Sequence, residues 1–125
     1  MLNELVKNSI VNMQRTVEDM SSRKNQEAYK ANVAFVHVPT ELLEQWSDHY
    51  RRVKEKEWFG SLFLENEIND IDLVHHSVMR FRESIGQEVP DVPLIFQEPS
   101  WQTVIESAEI LLKSLEKIQV RFGLK

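Results

Sequence analysis

A chain of 125 residues suits one hydrophobic core, so we expect a single domain over residues 1–125. With 42% apolar and 28% charged residues, the composition is too apolar for a disordered chain and too polar for a membrane protein. No apolar run approaches the roughly 20 residues that cross a bilayer. The lack of cysteine excludes disulfides and thiolate metal ligands and favours a cytoplasmic location.

The net charge of −5 is concentrated in one part of the chain. Residues 65–98 contain eight carboxylates and two arginines, whereas the remaining residues are nearly balanced. Nucleic-acid binding draws much of its affinity from basic residues that neutralise phosphates, so this distribution disfavours DNA or RNA as a partner. A protein with a basic surface is the partner that the charge favours.

The first helical pattern begins at Leu2 and runs to about Met20, with apolar residues three and four positions apart. Similar spacing further along allows this helix to continue to Val38. Residues 33–38, VAFVHV, also suit a β-strand that would pair with residues 94–96. A small α+β fold is therefore the alternative to an all-α fold.

Two further helical patterns occupy the middle of the chain. Thr40 is the predicted N-cap of the second, which runs to about Phe59. The third starts at Ser61 or Asn66 and ends at Ile85. Carboxylates near its start and arginines near its end complement the helix dipole.

The clearest pattern is the fourth, from Ser100 to Phe122. Before it, the segment from Gly86 to Pro99 holds three of the four prolines and exceeds the usual length of a loop between helices. Each glycine follows a helical pattern, where a left-handed residue is expected: Gly60, Gly86 and Gly123. The sequence therefore predicts an all-α, four-helix bundle-like domain with a long proline-rich loop before the last helix.

Carboxylates and imidazoles in the third helix form one candidate site. Asp72 lies three and four positions before His75 and His76, so a helix would bring either imidazole near the carboxylate. Such groups bind iron, manganese or zinc. Di-metal carboxylate bundles need a Glu-x-x-His motif on each of two helices, which this sequence lacks. A metal-binding bundle or metal-dependent small enzyme is therefore the alternative function, and the preferred one needs no cofactor.

Two stretches are candidate partner-binding surfaces. The first is the acidic face of the third helix, with Glu65, Glu67, Asp70 and Asp72. The second is the proline-rich loop, because prolines lower the entropy lost on docking; its apolar candidates are Val92, Leu94 and Phe96. The alternative role of the loop is to seal the open end of the bundle.

Together these patterns favour a non-enzymatic protein–protein interaction module, such as an adaptor, inhibitor, immunity-type or regulatory protein. Its expected binding surfaces are the acidic helix face and the proline-rich loop. No nucleophile elbow or glycine-rich phosphate loop is present to support nucleophilic catalysis or nucleotide binding. A second copy of the chain, packed through the last helix, is the other partner that the pattern allows.

Overall fold

The computed structural model describes residues 3–124, and in this range the chain forms helices joined by turns and loops. The helices are α1 (Glu4–Met20), α2 (Arg23–Asn32), α3 (Val38–Glu55), α4 (Glu57–Gly60), α5 (Glu65–Ile85) and α6 (Pro99–Arg121). A 3₁₀ helix, Leu94–Gln97, interrupts the proline-rich loop. The all-α prediction is confirmed. Leu2, the predicted start of the first helix, lies outside the described residues.

The long helices α1, α3, α5 and α6 correspond to the four predicted patterns. Helix α6 packs against α5 and α1, and α3 packs against α1 and α5. Hydrogen bonds join Asp70 to Ser114 and Ser84 to Ser100, so α5 and α6 run antiparallel. The buried apolar side chains form one connected cluster. Within residues 3–124, no helix is long and apolar enough to cross a membrane.

The predicted continuation of the first helix to Val38 is wrong, because α1 ends at Met20 and α2 is a separate helix. The fully buried side chain of Gln26 stabilises this break. Its amide nitrogen donates to the carbonyls of Asp19 and Met20 at 3.0 and 3.2 Å. Its amide oxygen accepts the indole N–H of Trp101 at 3.0 Å, which links the α1–α2 junction to α6.

The α+β alternative is wrong because neither of its segments is a strand. Residues 33–37 form the turn between α2 and α3, and residues 94–97 form the 3₁₀ helix. The N-cap of α3 is His37 and not Thr40, since Nδ1 of His37 accepts the Thr40 backbone N–H at 3.3 Å. The second helix ends at Glu55 rather than Phe59.

The three glycines do not share one role. Gly86 and Gly123 have φ of 72° and 71°, as predicted for residues that follow a helix. Gly60 lies instead in the short helix α4, which packs against α3. A Cβ atom at Gly60 would overlap the backbone carbonyl oxygen of Val53. Glycine at this position therefore allows two helices to approach closely.

Gly60→Ala is expected to lower the free energy of unfolding by roughly 2 kcal/mol or more, because α4 must move away from α3. The neighbouring exposed substitution Ser61→Ala is the control and should change it by less than about 0.5 kcal/mol. Urea denaturation of the two variants measures both values. Equal stabilities would show that the approach of α4 to α3 does not require glycine.

Candidate functional site

Glu67, a predicted partner-binding residue, is only 3% exposed. Its carboxylate accepts two hydrogen bonds from the Arg121 guanidinium, at 2.7 and 2.8 Å, and one from the Leu64 backbone N–H at 2.7 Å. Burial raises the pKa of Glu67, but the hydrogen bonds from Arg121 and Leu64 outweigh it and hold the pKa below its usual value. Glu67 therefore ties the start of α5 to the end of α6.

Two more of the predicted acidic residues bond other helices. Asp70 accepts a hydrogen bond from Ser114 of α6. Asp72 accepts the Tyr50 hydroxyl at 2.9 Å and pairs with the Lys54 ammonium at 2.8 Å. Burial raises the pKa of Asp72, but the bonds from Lys54 and Tyr50 outweigh this effect, so the pKa lies below its usual value. Of the four predicted carboxylates, only Glu65 is exposed, and partner binding by this face stays a prediction.

His75 is held by two aromatic side chains of α3. The indole N–H of Trp46 donates to its Nδ1 at 3.4 Å, and its ring stacks on Tyr50 with centroids 3.7 Å apart. Because an indole nitrogen can only donate, Nδ1 must carry the lone pair, and the proton of the neutral ring lies on Nε2. Burial lowers the pKa of His75, and the charge of His76 lowers it further. The neutral ring thus has no free lone pair for a metal ion.

The alternative metal site is not assembled in the described part of the chain. Among residues 3–124, no group of three or more histidine and carboxylate side chains is placed to hold a metal ion. Asp72 bonds Tyr50 and Lys54, His75 accepts from Trp46, and His76 is exposed. Burial and the bond to Asp72 raise the pKa of Tyr50 to about 12, so its phenol is a poor general base.

The proline-rich loop is fixed by a contact that the sequence did not predict. The Lys30 ammonium donates to the carbonyls of Ala34 and Val36, both at 2.8 Å, and to the Asp91 carboxylate at 2.7 Å. Three acceptors satisfy all three ammonium donors. We call the pair Lys30–Asp91 the clamp, because it holds the α2–α3 turn against the loop.

Asp91 extends the clamp through its other carboxylate oxygen. That oxygen accepts the backbone N–H groups of Val38, at 3.2 Å, and Val92, at 2.7 Å. Burial raises the pKa of Asp91, but the bonds from Lys30 and the two amides outweigh it, so the pKa lies below its usual value. The carboxylate thus remains charged and keeps the start of α3 next to the loop.

The three loop residues predicted to bind a partner have different environments. Val92 is buried in the core, as is Ile95. Phe96 is partly buried, with the Arg23 guanidinium 4.6 Å from its ring centroid. Leu94 is 60% exposed. The loop therefore covers the core with Val92 and Ile95 and presents Leu94 to solvent.

Phe35 was missed as a candidate because its spacing places it on the core face of a continuous helix. The helix stops at Asn32, and Phe35 lies in the following turn with 91% of its surface exposed. The two carbonyls that flank Phe35 both bond Lys30. The turn and Leu94 therefore lie at one end of the molecule, which we call the clamp end: residues 33–38 and 86–98.

A separate polar cluster lies between α1 and α3. Nε2 of the buried His49 lies 3.0 Å from the Thr16 hydroxyl, which also bonds the Gln45 side chain at 3.1 Å. Nδ1 of His49 has no hydrogen-bond partner within residues 3–124. Burial and, secondly, the charge of Arg52 lower the pKa of His49 to about 4, against an opposing effect of Asp48. The ring is therefore neutral at pH 7.

His49 makes stability depend on pH in a predictable direction. As pH falls, the imidazole of His49 takes up its proton near pH 6.5 in the unfolded chain, but only near pH 4 in the folded chain. The free energy of unfolding should therefore fall as pH drops through this interval, by on the order of 3 kcal/mol. His49→Gln should remove most of this slope above about pH 5 in urea titrations, leaving the smaller contribution of His75. Below that pH, Glu67, Asp72 and Asp91 add to the slope in both proteins, because their pKa values are lowered in the folded chain. A variant with the full wild-type slope would contradict the assignment.

Comparisons with protein-family models, with curated proteins and with solved structures find no match for this chain. The acidic face of α5 is largely engaged in contacts between helices. The clamp end combines an ordered backbone with exposed apolar side chains, which makes it the strongest candidate site.

Proposed function

We propose that this protein is a non-enzymatic protein–protein interaction module that binds its partner through the clamp end. The observation that carries the proposal is the 91% exposure of Phe35 on a turn whose carbonyls are bonded to Lys30. Leu94, 60% exposed, extends the apolar surface from the loop side. An adaptor, inhibitor, immunity-type or regulatory protein would use such a surface.

Exposure of one apolar side chain is common and needs no functional explanation. Phe35 differs because the clamp fixes the backbone on both sides of it. A preordered anchor loses less conformational entropy on binding, and buried aromatic side chains often dominate the affinity of an interface. The proposal therefore rests on the combination of exposure and order.

The other predicted surfaces contribute less to the proposal. On α5, Glu65 is exposed, while Glu67 is buried in an ion pair. On α6, Ile110 and Val120 are exposed, but most of the apolar residues face the core, so self-association through this helix has weaker support. We retain a partner with a basic surface and a cytoplasmic location as parts of the proposal, since the net charge is −5 and cysteine is absent.

Capture from a lysate of cells that express the protein tests this function. Phe35→Ser and Leu94→Ser should each reduce the amount of a specific captured protein, and Phe35→Ser should weaken its affinity about thirtyfold. Leu5→Ser is the matched control for Leu94→Ser, because the two leucines are 59% and 60% exposed. Quantitative mass spectrometry followed by binding measurements with the purified partner gives both values.

Thermal melting first establishes that all three variants are folded. A partner that binds wild type and the Leu5 variant equally, but binds neither clamp-end variant well, supports the proposal. Equal capture by all four proteins would show that partner binding does not use the clamp end. Replacing the acidic residues of α5 is a poorer test, because loss of Glu67 breaks a buried ion pair.

A further inference from the structure

A groove of about 430 Å³ adjoins the clamp end. It lies between the first half of α3, the end of α5 and the start of the proline-rich loop. Leu43 and Val89 supply apolar lining, while Glu44 and Arg82 supply charged lining. Grooves that combine an apolar surface with a few polar groups are suited to receive a side chain of a partner.

His37 connects this groove to the turn that carries Phe35. Its Nε2 donates to the Val89 carbonyl at 2.8 Å, and its Nδ1 accepts the Thr40 backbone N–H. Because a carbonyl can only accept, these two bonds specify the neutral ring with its proton on Nε2. Val89 and Thr40 both line the groove, so His37 ties the turn that carries Phe35 to the edge of the groove.

The exposed charges around the groove favour a basic partner. Glu44 is exposed and lines the groove, and Glu88 is exposed between the lining residues Gln87 and Val89. Arg82 offsets one of these two carboxylates. Asp91 adds no uncompensated charge, because it pairs with Lys30. Glu44 and Arg82 balance each other in the lining, so Glu88 at the rim leaves one net negative charge. This charge favours lysine or arginine over an acidic residue of the partner.

We infer that the groove receives an apolar side chain of the partner that lies next to a lysine or arginine. This inference rests on the proposed function and adds the chemistry of the partner segment to it. The apolar side chain contacts Val89 and the 4% of Leu43 that is exposed, and the basic side chain faces Glu44 and Glu88. A second copy of this chain fits less well, since a symmetric contact would bring the same carboxylates together.

Selection of a random peptide library on the immobilised protein tests the inference. We expect the selected peptides to share an apolar residue beside lysine or arginine. The double variant Glu44→Lys/Glu88→Lys should weaken their affinity at least about tenfold, through lost attraction and added repulsion. The matched control is Glu106→Lys/Glu109→Lys, which reverses two exposed charges on α6 and should leave the affinity unchanged.

Several results would overturn the inference. Selected peptides without basic residues, peptides that ignore the Glu44/Glu88 reversal, or an unsuccessful selection would each do so. Self-association that this reversal abolishes would assign the groove to a second copy instead. Binding that is lost in Phe35→Ser but kept in the charge-reversed variant would overturn the groove inference alone. Binding that neither change affects would overturn the proposed function as well.

Discussion

The ammonium of Lys30 joins two segments that would otherwise be independent loops. Its three donors are matched by two carbonyls of the α2–α3 turn and by the Asp91 carboxylate. Asp91 in turn accepts the first amide of α3 and an amide of its own loop. A half-buried ion pair of this kind is effective because every donor and both carboxylate oxygens have partners. As a result, the turn that carries Phe35 and the loop that carries Leu94 are held at the same end of the molecule.

Much of the fold could be predicted because the apolar residues of the long helices repeat every three or four positions. The pattern identified α1, α3, α5 and α6, since burial imposes that period on whichever residues face the core. It did not identify α2 as a separate helix, because only Gln26 is buried there. A glutamine does not contribute to an apolar pattern, and the structural role of Gln26 depends on its hydrogen bond with Trp101, 75 positions away in the sequence. The turn at 33–37 was missed for a related reason, since the apolar spacing of VAFVHV favours a helix and its β-branched residues also suit a strand.

The candidate site was harder to predict because charge and spacing do not reveal tertiary partners. Glu67, Asp70 and Asp72 form a dense acidic stretch in sequence, yet Arg121, Ser114 and Lys54 engage them in the fold. The proline-rich loop is conspicuous in the sequence, but alternation along it could not separate the buried Val92 from the exposed Leu94. The clamp joins residues 61 positions apart, so no local pattern predicts it. Phe35 then became exposed because the helix that would have buried it ends early.

Hydrogen–deuterium exchange of wild type and Lys30→Met tests most directly whether the clamp creates the binding surface. Methionine retains an unbranched apolar side chain but offers no donor to the two carbonyls or to Asp91. We expect faster exchange in both residues 33–38 and residues 88–96, with little change in α1 and α6. Faster exchange in only one of the two segments, or in neither, would contradict the claim that Lys30 holds the turn and the loop together as one surface.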